Sequence, residues 1–260
     1  MKKVLSIILI AVCVVFFSFT SGKNENNVKN NNNDLSKLKL NGKVKSLRET
    51  SFSLQNSSGE NVKIITGSEL LLFNEKGNIT ERSSYKSDGS LDFNIIFKFN
   101  NIGNKIEKNS YSADDFLYSK VTYKYDIKGN MIEESEFNEE GNLDSKITYK
   151  YNIQGNTIER KRCNSKGVLE NKTTYKYDIN GNLIEENIFS STSSLENKYT
   201  YKFDGKGNEI EVNSTPIDIE YSFHATYKYD IFDNTGNWAK RTRYEKDIVQ
   251  VISERELTYY

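Results

Sequence analysis

The stretch VTYKYDIKGNMIEESEFNEEGNLDSK, residues 121–146, decides the fold, because the chain repeats it at a constant interval. ITYKYNIQGNTIERKRCNSKGVLENK follows at 147–172, and TTYKYDINGNLIEENIFSSTSSLENK follows at 173–198. Four more divergent units keep the 26-residue spacing and begin at Glu69, Ile95, Tyr199 and Ala225. Seven units therefore run from residue 69 to the C-terminus. A fixed period of this length is the sequence signature of a repeat architecture.

Each unit contains two predicted strands. In the first strand, the odd-numbered residues between 143 and 151 are Leu, Ser, Ile, Tyr and Tyr, and polar residues alternate with them. This period of two predicts one buried face and one face in water. In the second strand, Ile132 and Phe137 are five positions apart, and a one-residue β-bulge would bring both to the core. The same offset predicts that Cys163 is a small core residue rather than a reactive thiol.

The turns between these strands follow one pattern. Asp126 to Gly129 and Asn138 to Gly141 each place an Asx residue first and a glycine fourth. This order predicts a type I turn closed by a left-handed glycine, with the Asx side chain accepting backbone N–H groups. A calcium loop is the alternative, but it needs more carboxylates at alternate positions.

Charges on the face in water have opposite signs on the two strand types. First strands carry lysines, and second strands carry glutamates: Lys120, Lys124, Lys146, Lys150, Lys172 and Lys176 against Glu133, Glu134, Glu159, Glu185 and Glu186. We predict cross-strand Lys–Glu pairs that keep the sheet soluble rather than bind a ligand.

The N-terminus has the pattern of an export signal. A basic start is followed by the apolar run Val4–Phe19, and small residues at 18–22 predict cleavage before Lys23. This run of 16 residues falls short of the about 20 that span a bilayer, although a retained anchor is the alternative. Cys13 follows Val12, which is not small, so we expect no acylation there.

The Asn-rich residues 23–40 predict a disordered linker. Once Cys13 leaves with the signal, Cys163 is the remaining cysteine, and an intramolecular disulfide is impossible.

Composition excludes several classes of function. There are 36 basic and 36 acidic residues, and a net charge of zero argues against a nucleic-acid partner. The 17 Tyr and 14 Phe residues argue against disorder. One histidine and two cysteines leave little for imidazole catalysis or a Cys/His metal site, so we expect no metal and no cofactor.

The recurring Tyr-Asp-x-x-Gly, as at residues 125–129 and 177–181, resembles the RHS/YD-repeat family. This resemblance covers Glu69 to Tyr260. It implies spiralling antiparallel sheets built from hairpins, which in large members wrap a toxin domain and in others lie on cell surfaces, some associated with carbohydrate. The chain departs from the large members, since no toxin-like domain follows its repeats.

The predicted fold is an all-β antiparallel meander of about sixteen strands in 26-residue, two-strand repeats. A sheet of this size curls, so we expect an open spiral or a barrel-like shell. The predicted organisation is a signal peptide at 1–22, a linker at 23–40, an N-terminal capping segment at 41–68, hairpin repeats at 69–224, and a C-terminal repeat and cap at 225–260.

Two residues near the one break in the pattern, 215–224, are candidate contacts for a ligand or partner. His224 is the only imidazole, and Trp238 is the only indole. We predict that Trp238 is mostly buried beneath the terminal strand, while an exposed platform for sugar or protein is the alternative.

Three functions remain open from the sequence. We predict a non-catalytic, secreted or envelope binding or scaffold module for a glycan or protein, without a membrane span after signal cleavage. The alternatives are a carbohydrate hydrolase with a carboxylate pair and a partner or immunity protein of a toxin.

Overall fold

The computed structural model describes residues 33–57, 59–216 and 222–260. The predicted signal peptide, residues 1–22, and the first part of the linker lie outside these ranges. Within them, sixteen antiparallel strands each pair with the next, and the last strand pairs with the first to close a barrel. The predicted all-β meander is therefore confirmed in a closed form, and the open spiral is wrong.

One helical turn, α1 (Asp34–Lys37), precedes the barrel. The strands are β1 Val44–Ser57, β2 Glu60–Phe73, β3 Ile79–Lys86, β4 Leu91–Phe99, β5 Lys105–Ser112, β6 Leu117–Tyr125, β7 Met131–Asn138, β8 Leu143–Tyr151, β9 Thr157–Asn164, β10 Leu169–Tyr177, β11 Leu183–Ser190, β12 Leu195–Phe203, β13 Glu209–Pro216, β14 Phe223–Phe232, β15 Trp238–Glu245 and β16 Ile248–Tyr259. No helix in these ranges is long and apolar enough to cross a membrane.

The N-terminal segment, residues 33–41, crosses one mouth of the barrel. The Asn33 side chain donates to a carbonyl in the β2–β3 turn, and Lys39 Nζ donates to the Gly207 carbonyl in the β12–β13 turn. Lys39 Nζ also donates to the Asn182 side chain in the β10–β11 turn, and the Asn41 N–H donates to the Asn237 side chain in the β14–β15 turn. The segment therefore contacts turns on several sides of the opening and lies across it. We call this mouth the N-terminal rim.

Residues 33–40 correct part of the predicted linker, because they are ordered by apolar and capping contacts. Leu35 packs against Val44, Leu71 and Phe73 on the wall. The Asn33 side chain accepts from the Ser36 N–H and caps α1. The wall face that Leu35 touches is the inner face of the barrel.

The first strands point as predicted. Ser145 and Ile147 are buried on the inner face, Tyr149 is half-buried beside them, and Lys150 is exposed outside. The alternating period of two therefore identified the inner face correctly.

The predicted bulge in the second strands is wrong. The register shifts fall at the hairpin ends, so the segment from Glu133 to Phe137 alternates regularly. Phe137 lies opposite the outward Lys120, and Cys163 lies opposite the outward Lys146, so neither residue enters the core.

Outward aromatic rings are covered by lysines instead, as where Lys172 Nζ lies 4.5 Å from the centroid of the Phe189 ring. Cation–π contact and burial beneath a lysine stem stabilise such a ring at the surface.

The turns follow the predicted chemistry. Gly129 has a φ of 83°, and its N–H donates to the Asp126 carbonyl. The Asp126 carboxylate accepts from the N–H groups of Lys128 and Asn130. The Asp126 carboxylate is therefore used to hydrogen-bond the backbone N–H groups of its own turn.

A lateral tie joins neighbouring hairpins at the N-terminal rim. In three hairpins the tyrosine directly before the turn donates its hydroxyl to a carbonyl 20 residues earlier, and Tyr229, four positions before the first residue of the β14–β15 turn, makes the same bond; the four distances are 2.6–2.8 Å. The donors are Tyr125, Tyr151, Tyr177 and Tyr229, and the acceptors are Lys105, Met131, Thr157 and Glu209. The Tyr-Asp pair thus combines a tie between hairpins with a turn closure.

Candidate functional site

Trp238 opens β15 directly after the β14–β15 turn and points into the barrel. It is 9% exposed, and its ring meets Tyr229 edge-on at a centroid distance of 5.8 Å. The prediction that Trp238 is mostly buried is confirmed. Its role as a ligand contact stays a prediction.

Two guanidinium groups lie over the Trp238 ring. The Cζ atom of Arg255 is 3.4 Å from the ring centroid, and that of Arg241 is 4.8 Å away. Cation–π attraction is strongest at an indole that is removed from water. The Trp238 ring is therefore occupied by contacts with Tyr229, Arg241 and Arg255 of the protein itself.

Glu49 on β1 balances both arginines. Arg255 Nε donates to its carboxylate at 2.9 Å, and Arg241 Nη2 lies 3.7 Å from its other oxygen. Burial alone would raise the pKa of Glu49, but the two guanidinium groups outweigh burial and lower the pKa. The side chains of Glu49 and Arg255 are 13% and 11% exposed, so this is a nearly dry ion cluster.

The ion cluster continues along the inner wall from Glu49. Glu69 on β2 is paired with Arg82 on β3. Burial raises the pKa of Glu69 despite this arginine. Glu69, Arg82 and the Trp238 cluster therefore form one inner charged band.

A second inner band of tyrosines and glutamates lies on β6–β8 and β10–β12. The Tyr149 hydroxyl donates to Glu134 at 2.7 Å, and the Tyr201 hydroxyl donates to Glu186 at 3.1 Å. Both glutamates were predicted on the outer face, and the structure corrects this. They share a wall face with Tyr123 and Tyr175, their partners in register.

Burial controls the protonation of this band. It raises the pKa of Glu186 and, with the nearby Glu134 carboxylate, raises the pKa of Tyr149. Burial also raises the pKa of Glu209 on β13. The band combines half-buried tyrosines with two carboxyl groups, Glu186 and Glu209, whose pKa values are raised.

His224 is remote from Trp238. Its Nδ1 hydrogen-bonds the Asn213 side chain, and the ring is exposed. Phe232, the register partner of Trp238, is eight residues farther along β14, about 26 Å away. The structure does not bring the two candidate residues together.

The sequence of a single repeat does not indicate which charged residues face the inside of the barrel. Glutamates occupy consecutive positions such as Glu185 and Glu186, so composition does not tell which one points inward. Among the described ranges, no group of three or more His, Cys, Asp or Glu residues is placed to hold a metal ion.

Comparison with known proteins identifies the fold alone. No protein-family model and no curated protein matches the chain. A porin-like protein from Bacteroides uniformis superposes with a TM-score of 0.57 and 12% identity, over 83% of this chain and 96% of that one. A porin-like protein from Bacteroides vulgatus gives a TM-score of 0.35 and 9% identity, over 84% and 99% of the two chains. The Tc holotoxin pore of Photorhabdus luminescens gives 0.29 and 13% identity, over 77% of this chain and 13% of that one.

Proposed function

We propose that the chain is a non-catalytic, exported protein of the cell envelope that binds carbohydrate on the inner wall of its barrel. The inward tyrosines Tyr149 and Tyr201 carry the proposal, because their hydroxyls donate to half-buried carboxylates while their rings stay half-exposed. Aromatic faces next to a few fixed polar groups are the composition of a small-molecule site.

Export is supported by the sequence pattern of residues 1–22 and by the fold shared with a porin-like protein. The outer wall suits water, because lysines and glutamates bridge across it strand by strand. Glu133 contacts both Lys124 and Lys146, at 2.8 and 3.4 Å. Charged groups on a lipid-facing wall cost about 2–4 kcal/mol each at the bilayer midplane. We therefore place the barrel outside the hydrocarbon layer.

We also propose that the hairpins are 26-residue units of the YD type. The four tyrosine ties and the turns closed by an Asx side chain support this, and at Tyr125-Asp126 and Tyr177-Asp178 the tie and the turn closure come from adjacent residues.

The binding proposal is tested with the exported protein on a glycan array, followed by calorimetry with the strongest glycan. We expect binding without cleavage. The inner Tyr149→Phe and Tyr201→Phe variants keep their rings but lose their hydroxyls, and we expect affinity to fall by about tenfold. The outer Lys150→Ala variant is the matched control. Absence of glycan binding, or equal loss in the control, would contradict the proposal.

A hydrolase is the second candidate, because burial raises the pKa of Glu186 and Glu209, as a general acid requires. Release of reducing sugar from an array ligand would favour it. Loss of that release in Glu186→Gln, with binding retained, would assign the acid.

A further inference from the structure

The N-terminal rim carries a row of four solvent-exposed isoleucines. The four residues are 81–102% exposed and occupy the tips of successive turns: Ile102, Ile127, Ile153 and Ile179. Neighbouring tips are two strands apart, so they are separated by about 10 Å and the row spans about 29 Å. Single exposed apolar residues are ordinary, whereas an ordered row of them indicates an interaction surface.

Folding does not require isoleucine at these positions. Ile127, Ile153 and Ile179 directly follow the residue that accepts the closing hydrogen bond, and Ile102 lies one position later in its turn. At the opposite rim the position directly after that acceptor holds Glu139, Ser165 and Ser191. The N-terminal rim itself has Gly205 in this position in the β12–β13 turn. The first central residue of a type I turn tolerates most side chains. The row therefore reflects something other than turn stability.

We propose that the isoleucine row inserts into the surface of a lipid bilayer. The tips are separated by polar turn residues, so they suit individual insertion among lipids better than one apolar pocket of a protein. Lys128 is exposed on the turn that carries Ile127, and Lys206 is exposed on the neighbouring β12–β13 turn of the same rim; both charges favour anionic headgroups.

The course of the chain supports the same orientation. The described structure begins at Asn33, whose side chain is bonded to this rim, and the apolar run Val4–Phe19 precedes it. Where the apolar run is retained as an anchor, the alternative to cleavage before Lys23, residues 23–32 connect it to the rim that carries the isoleucines. This inference goes beyond carbohydrate binding, which uses the inner wall.

The test is co-sedimentation of the exported protein with vesicles of phosphatidylethanolamine and phosphatidylglycerol. We expect the protein to sediment with the vesicles, and Ile127→Ser/Ile153→Ser to lower partitioning by about tenfold. The matched control is Val168→Ser/Ile248→Ser, which removes two exposed apolar residues from the opposite rim. Failure of the unaltered protein to bind, or equal partitioning of both variants, would overturn the proposal.

Gly205 offers the converse experiment. No atom lies within 4 Å of the place where its Cβ would be, and its φ is outside the left-handed region, so a side chain fits there. Gly205→Ile extends the row by one tip, and we expect it to raise vesicle partitioning several-fold. Unchanged partitioning would contradict the proposal. Because these variants leave the inner wall intact, glycan binding is expected to be the same in all of them.

Discussion

Adjacent glutamates on β11 illustrate how the wall separates two environments at the scale of single residues. Glu185 faces outward, where hydrogen bonds from Lys176, Lys198 and Asn187 lower its pKa to about 2. Glu186 faces inward, where burial raises its pKa. Two residues joined by one peptide bond therefore lie in different environments, Glu185 among exposed lysines and Glu186 in the half-buried inner band.

Titration followed by NMR of the carboxyl carbons tests this separation. Glu185 should stay ionised until about pH 2, and its stabilising effect should be lost as the pH falls toward that value. The pH dependence of Glu186 should be the reverse. Its pKa is raised in the folded state, so its protonated form stabilises the fold, and this stabilising effect is lost as the pH rises through the folded pKa. Lys176→Ala/Lys198→Ala should move the Glu185 transition upward. A single shared transition for both residues would contradict the assignment.

The inner and outer faces also differ in their effect on stability. Tyr149→Ala removes a half-buried ring and leaves Glu134 without its hydroxyl donor, so the free energy of unfolding should fall by about 3–5 kcal/mol. Lys150→Ala removes a mostly exposed bridge to Glu159, and the cost should stay below about 0.5 kcal/mol. Urea unfolding measures both values. Equal costs would show that the two faces have been assigned wrongly.

At the scale of elements, the tyrosine tie is the feature that connects one hairpin to the next. Tyr151→Phe removes the hydroxyl that donates to the Met131 carbonyl, and the free energy of unfolding should fall by about 1 kcal/mol. The chain has Phe203 in the equivalent position, so a phenylalanine ring fits there. Phe203→Tyr is the converse variant, and its hydroxyl should find the Leu183 carbonyl. No change in urea midpoint for Tyr151→Phe would contradict the tie.

Local signals in the sequence were sufficient for the strands and turns but not for the second-strand faces. The alternation around Tyr149 and the Asp126–Gly129 turn are encoded within a few residues, so they were predicted correctly. In β7, Ile132 and Phe137 suggested a bulge toward the core, but Phe137 lies opposite the outward Lys120, and Glu134 accepts a hydrogen bond from the inward Tyr149. These contacts come from neighbouring strands, which the repeat alone does not specify.

In the candidate site, too, the sequence predicts one feature and misses another. Burial of Trp238 was predictable from its place beside the terminal strand. Its ionic partners were not, because Glu49 and Arg255 are 206 positions apart and meet only when the barrel closes. Long-range pairing of this kind leaves no periodic mark in a sequence.

At the scale of the whole molecule, β16 is the strand that closes the wall. Residues 254–259 pair with 44–50 on β1, and Leu257 lies opposite Leu47, which is buried. Arg255 on the same stretch neutralises Glu49. Closure therefore contributes strand pairing, apolar burial and charge compensation together.

Deletion of residues 254–260 should convert the closed barrel into an aggregating sheet. It frees one edge of β1 and exposes Leu47, and an unpaired edge beside apolar surface is a template for association between chains. It also leaves Glu49 buried without Arg255, which is strongly destabilising. Light scattering after size-exclusion chromatography should show large assemblies in place of the species formed by the full chain. Leu257→Ala is the control, since it trims the apolar contact but keeps the backbone ladder, and this variant should be less stable without aggregating. If the shortened chain instead kept the size of the full protein and unfolded like Leu257→Ala, pairing between β16 and β1 would not be what protects the edges of this sheet.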